Sequence, residues 1–114
     1  HDALPISGPV KGNLFIKIGY ENGVPTGFVA YYMKSLLSGC LLFLDVHKDF
    51  RSKGWGRKLL DAGVQGLISK GARRVDLVTR VNNEPARRLY TRYGFKELRE
   101  YGPGFVDYTL NPQS

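Results

Sequence analysis

The apolar positions along the chain switch between a two-residue and a helical period, and the switches mark out the elements. Leu14-Phe15-Ile16-Lys17-Ile18-Gly19-Tyr20 and the run from Thr26 to Met33 are rich in β-branched and aromatic residues. They flank Glu21-Asn22-Gly23, so they predict an antiparallel hairpin. Cys40 to Val46 predicts a third strand, and its unbroken Leu41-Leu42-Phe43-Leu44 is the pattern of a strand covered on both faces. After the glycine-bearing segment from Arg51 to Gly56, Leu60, Val64, Leu67 and Ile68 recur at helical spacing and Gly71 supplies a stop. That is an amphipathic helix of about four turns. Arg74 to Val81 is a short strand carrying Val75, Leu77, Val78 and Val81. Asn83 then offers an N-cap, Pro85 is tolerated in the first turn, and Ala86, Leu89, Tyr90 and Tyr93 share one face of a second helix that Gly94 ends. Phe95 to Glu100 and Phe105 to Leu110 predict two closing strands around Tyr101-Gly102-Pro103-Gly104. The order strand, strand, strand, helix, strand, helix, strand, strand places the chain in the α/β class.

Composition narrows the setting. With 114 residues, 42% hydrophobic and 24% charged, the chain suits one small globular domain. No apolar run approaches the ~20 residues that cross a bilayer, and no basic start followed by an apolar stretch suggests a secretory signal. One cysteine, Cys40, and two histidines, His1 and His47, give neither a disulfide framework nor a metal-ligand spacing. A cytoplasmic protein without metal is expected. The first six residues, His1-Asp2-Ala3-Leu4-Pro5-Ile6, match the translation of a common sequencing adapter. Residues 1–6 are therefore expected to be a non-native leader and 7–114 the domain. The formal net charge of +7 favours anionic partners, and both nucleic acid and a phosphorylated cofactor qualify.

The position of the basic residues decides between them. A right-handed crossover between parallel strands puts the start of the connecting helix at the carboxyl end of the first strand, where open α/β sheets gather ligands. At that point the chain reads Arg51-Ser52-Lys53-Gly54-Trp55-Gly56-Arg57-Lys58. Unsatisfied helix-start amides, the helix dipole, two positions without side chains and four cations coincide there, and together they suit a pyrophosphate.

Arg51-x-x-Gly54-x-Gly56, after a strand ending in Leu44-x-Val46, resembles the acetyl-CoA signature of the GNAT family of N-acetyltransferases. Asn83-x-x-Ala86-x-x-Leu89-Tyr90-x-x-x-Gly94-Phe95 is similar to that family's second conserved block, in the expected order and separation. The resemblance runs from about Leu14 to Leu110. It implies a GNAT-like (acyl-CoA N-acyltransferase) mixed central sheet flanked by helices, lacking the family's first strand and first helices.

It also implies an acetyl-CoA-dependent enzyme in which a primary amine attacks the thioester directly. The cofactor-binding set carried over is Val46, Arg51, Lys53, Gly54, Trp55, Gly56, Arg57, Asn83 and Tyr90, with Lys58 adding charge. In the catalytic roles, the backbone of Val46 directs an N–H at the thioester carbonyl and Tyr90 protonates the departing thiolate. Lys48 stands where the family often has proline. The family's strand glutamate has no counterpart, since Val78 sits mid-strand, so the general base is open between Asp45, the first candidate, and Asp107, the second. Cys40, with no neighbouring histidine or cation, is expected to be a buried structural thiol, and His47 a surface turn residue. Trp55 is expected to cover the cofactor loop.

Two other readings compete. A small basic nucleic-acid-binding module using Arg87 to Arg92 accounts for the charge but not for Gly54, Gly56 and Asn83, which disfavours nucleic acid. A CoA-binding non-catalytic fragment or pseudoenzyme accounts for both motifs without turnover. The acceptor, a protein N-terminus or a small-molecule amine, is unspecified by Ser35 to Gly39 or Tyr101 to Phe105, and a monomer or homodimer fits equally.

Overall fold

A computed structural model describes residues 13–112; the expectation about residues 1–6 lies outside them. The described chain runs β1 (Phe15–Glu21), β2 (Val24–Met33), β3 (Ser38–Val46), a 3-10 turn (Lys48–Phe50), α1 (Trp55–Ser69), β4 (Arg74–Arg80), α2 (Glu84–Tyr93), β5 (Lys96–Tyr101) and β6 (Phe105–Leu110). The strands form one six-stranded sheet in the order β1-β2-β3-β4-β6-β5. Only β3 and β4 pair in parallel among the described strands, as the α1 crossover between them requires. This is the mixed sheet flanked by helices that the motif order implied. Among the described residues, no helix is long and apolar enough to cross a membrane.

Both helices lie on one face of the sheet and share its core. Val29, Tyr31, Leu41, Val75, Leu77, Val106 and Tyr108 meet Leu59, Leu60, Val64 and Leu67 of α1, with Leu89, Tyr90 and Tyr93 of α2 packed at the margin. Gly63 and Gly66 let α1 sit close: a Cβ on Gly63 would come 2.7 Å from Leu41, and one on Gly66 would strike the Tyr31 ring. Tyr93 of α2 donates its hydroxyl hydrogen to Asp61 of α1 at 2.6 Å.

The expectation that β3 is covered on both faces is corrected. Leu41 is buried, whereas Leu42, Phe43 and Leu44 are half-exposed. A bulge explains the unbroken apolar run: Tyr31 pairs with Leu41 but Ala30 pairs with Phe43, so Leu42 is the extra residue. The insertion resets the alternation, so Leu41, Leu44 and Val46 all touch the helix-side core although they are not evenly spaced.

The bulge also shapes the site. The parallel ladder from β3 to β4 ends at Leu41↔Leu77, yet β3 continues to Val46 and β4 to Arg80. Beyond the bulge the two strands diverge, and a gap opens through the middle of the sheet.

Candidate functional site

The gap is flanked on the helix side by an open cleft of about 520 Å³. Its wall combines the end of β3 (Leu44, Asp45, Val46), the following loop (Phe50, Arg51, Ser52), Gly56 of α1, and Asn83, Pro85, Ala86, Leu89 and Tyr90 of α2. Val46, Arg51, Gly56, Asn83 and Tyr90, expected from sequence, thus converge. Lys53, Gly54, Trp55 and Arg57 are not among the lining residues.

Local interactions set each of these positions. The 3-10 turn after β3 is held by the His47 side chain, which accepts from the Asp49 amide at 3.2 Å and is more than half exposed. Arg51 donates from Nε to the Val46 carbonyl at 3.0 Å, bracing the loop against the strand end. Ser52 and Gly54 adopt φ values of 62° and 87°. Gly54, the N-cap of α1, has a left-handed backbone that other residues reach only with strain, and a Cβ there would meet nothing within 4 Å. Among the described residues no side chain caps α1, so its first amides keep the unsatisfied donors of a helix start beside the cleft.

The residues that leave the cleft have other partners. Trp55 points to the first hairpin, where Nε1 donates to Glu21 at 3.3 Å and its ring occupies the space that Gly19 leaves free. The Arg57 guanidinium lies 5.2 Å over the Tyr93 ring, and Lys53 Nζ lies 5.6 Å from the Phe50 ring.

On the opposite wall, Asn83 accepts from the Ala86 amide at 3.2 Å and caps α2 while still lining the cleft. Tyr90 is wedged edge-on against Phe95, ring centroids 6.0 Å apart, and tilted against Tyr108 at 5.9 Å. Those two contacts fix the ring's direction, and the residue borders both the cleft and the gap. A phenol held beside the gap can deliver a proton there. Arg87, counted among the cations of a possible nucleic-acid face, is occupied: it donates to Tyr108, the Val81 carbonyl and Glu97 at 2.9, 2.6 and 2.7 Å.

Sequence reasoning passed over Phe50, Ser52, Pro85, Ala86 and Leu89 as lining residues. Pro85, Ala86 and Leu89 belong to the second motif, so the signal was present. Phe50 and Ser52 come from a turn that carries no periodicity. Cys40 lies half-buried on the opposite sheet face, and burial pushes its thiol upward, which suits a protonated side chain and not a nucleophile.

Comparison with known proteins gives the family and the fold. Residues 8–95 match the family model described as the acetyltransferase (GNAT) family. A mycothiol acetyltransferase of Propionibacterium freudenreichii is 34% identical over 89 residues, which cover 78% of this chain and 25% of that protein. N-alpha-acetyltransferase 30 of Schizosaccharomyces pombe is 36% identical over 82 residues, 67% of this chain and 55% of that one. Among solved structures, the PaiA N-acetyltransferase of Thermoplasma acidophilum in complex with coenzyme A superposes with a TM-score of 0.78 at 17% identity, over 86% of this chain and 60% of that chain, a likeness of fold. The matched part of this chain spans between a quarter and just over half of those two curated relatives.

Proposed function

This chain belongs to the acetyltransferase (GNAT) family, and from that premise we propose that it binds acetyl-CoA in the cleft beside the β3–β4 gap and transfers the acetyl group to a primary amine. The observation that carries this reading is the gap itself. The ladder ends at Leu41↔Leu77, and the opening is flanked by an uncapped helix start and by a positioned phenol.

The residues present fit the ligand. The open space over Gly54 and the free amides at the start of α1 suit a pyrophosphate, with Arg51 and Lys53 nearby for charge. The unpaired end of β3 at Val46 suits an extended amide-bearing arm, which can continue the sheet's hydrogen bonding. Acetyl-CoA supplies an activated thioester. The Val46 backbone N–H would face the developing oxyanion, and Tyr90 would protonate the sulfur as it leaves. The acceptor is a protein N-terminus or a small-molecule amine. A cytoplasmic setting belongs to the same reading, since Cys40, the one cysteine of the sequence, is a free thiol.

Calorimetric titration of the 114-residue chain with acetyl-CoA at two salt concentrations tests the reading. Saturable binding that survives the higher salt is expected, whereas affinity that collapses linearly in log-log form indicates a polyanion site. In the second step, Tyr90→Phe lowers turnover far more than acetyl-CoA affinity; equal loss of both removes Tyr90 from the proton-donor role.

A further inference from the structure

The face of the sheet away from the helices carries a second cavity, about 830 Å³, whose walls include Tyr32, Cys40, Asp76, Val78, Arg99 and Asp107. The gap lies between it and the cleft. A small void in the gap shares Leu44 and Tyr90 with the cleft, and Leu77 and Val78 with the second cavity. A molecule held on the far face therefore reaches the same opening that Tyr90 borders from the helix side.

Two carboxylates stand in that far cavity, and their surroundings differ. Asp76 is saturated: Lys34, Arg74 and Thr109 each donate to it at 2.8 Å. Burial pushes its carboxyl up, but these hydrogen bonds outweigh burial and hold it below the usual range, so it is a fixed anion and a poor proton acceptor. Asp107 is the cross-strand partner of Val78, beside the gap, with a side chain 21% exposed. Its nearest cation, Arg99, lies 3.7 Å away, beyond a good hydrogen bond. Burial pushes the Asp107 carboxyl upward; Arg99 opposes this, Asp76 adds to it, and Lys34 and Arg74 oppose it more weakly. Asp45, the other candidate acid, lines the acetyl-CoA cleft beside Phe50 and Arg51, on the donor's side of the opening.

Resting on the acetyl-transfer reading above, we propose that Asp107 is the general base, taking from the far side of the sheet the proton that the acceptor ammonium must lose. The ammonium gives one proton to the Asp107 carboxylate, directly or through a water, and Asp107 later releases it to solvent. The freed lone pair forms the new C–N bond as the C–S bond breaks. Tyr90 donates a proton to sulfur and recovers one from the acylated nitrogen, so one proton is released per turnover. The aspartate stands one strand away from Val78, the mid-strand position that carries no acid, and the cross-strand pairing puts the two side chains on one face.

The test compares two probes with the full chain: 2-phenylethylamine, which is protonated at neutral pH, and hydroxylamine, which is not. Asp107→Asn is expected to leave acetyl-CoA binding intact by calorimetry and to cut kcat/KM for 2-phenylethylamine by about 10²–10⁴-fold, while costing little with hydroxylamine. Asp107→Glu restores part of the loss. For 2-phenylethylamine the rising limb of kcat/KM against pH, set by Asp107 in the wild type, moves up to the amine's own ionisation in Asp107→Asn. The groups facing Asp107 do not account for that limb. Besides Lys34 and Arg99, they are Arg74, raised by its hydrogen bond to Asp76; Asp76, held low; Cys40, raised by burial; and Tyr32, pushed up to about 12 by burial and by Cys40. In a 13C NMR titration of the free chain, the Asp107 carboxyl should ionise above the usual aspartate range.

Equal losses with the two amines overturn the base assignment and leave the cofactor site standing. A wild-type chain that binds acetyl-CoA yet acetylates neither amine also overturns it. A folded wild-type chain that binds no acetyl-CoA overturns the reading on which the proposal rests.

Discussion

The two helix starts that flank the cleft are built to opposite rules. α2 opens with three stabilising devices: Asn83 accepts from the Ala86 amide, Pro85 sits in the first turn, and Glu84 places a negative charge on the positive end of the dipole. α1 opens with a left-handed glycine and no side-chain cap, and its first turn, Trp55-Gly56-Arg57-Lys58, carries cations where the dipole favours anions. The second arrangement gives up local stability. Among the described residues it also leaves the helix-start donors without a side-chain cap and the nearby cations with ring contacts in place of carboxylates, which is what a diphosphate would match. α2 is finished in the folded state, whereas on the proposed reading α1 would be finished by a ligand.

The largest effect expected from breaking this contrast comes from Gly54→Val. The left-handed φ of 87° strains any β-branched residue by about 1–3 kcal/mol, and the new side chain projects into the space over the helix-start amides. Acetyl-CoA binding should vanish by calorimetry while thermal unfolding stays cooperative at a lower midpoint. Gly54→Asn, which tolerates the left-handed region better, should recover stability without recovering affinity. A valine variant of undiminished affinity would show that this loop holds no phosphate.

Asn83→Ala probes the other start and should reverse the order of effects. Loss of the cap costs about 1 kcal/mol in denaturant unfolding, and acetyl-CoA affinity should fall by less than in Gly54→Val. Asn83→Asp keeps a capping oxygen but adds a charge to the cleft wall, so it should leave stability near the original while weakening the anion further. If both variants lost affinity as completely as Gly54→Val, the functional division between the two helix starts would be gone.

How much of this was legible beforehand follows from the range of the forces involved. The hairpin turn at Asn22-Gly23 was readable because its positive φ values of 51° and 79° select those residue types locally. Helix periods and the two motifs placed Val46, Arg51, Gly56, Asn83 and Tyr90, all of which reach one cleft. Strand ends were less legible: β2 starts at Val24 and β3 at Ser38, each two residues before its expected start, because ladders extend as far as a partner continues. The bulge at Leu42 left only an apolar run, which reads equally well as a doubly covered strand. Trp55 could not be oriented, since its partner Glu21 lies across the fold. The far-face carboxylates were the least legible. Asp76, Arg99 and Asp107 come from three strands whose adjacency depends on β6 inserting between β4 and β5, and no local pattern encodes that order.

The smallest expected effect is also the one in which stability and affinity part in sign. Lys53 precedes the start of α1 and is exposed, with its ammonium near the Phe50 ring as its described contact. In Lys53→Glu a carboxylate would meet the positive end of the helix dipole, worth about 0.3–1 kcal/mol in favour of the folded chain, against the loss of a weak ring contact. The unfolding midpoint should hold or rise slightly. The same carboxylate would repel a diphosphate, so acetyl-CoA affinity should drop severalfold at low salt and less at high salt, where charges more than about 8–10 Å apart are screened. A variant that gained stability without losing affinity at low salt would mean that the ligand's charge sits farther from the helix start than the cleft implies. A variant that lost both would mean that Lys53 is already engaged in holding the loop. A midpoint that holds or rises while affinity falls is what a helix start suited to an anion requires.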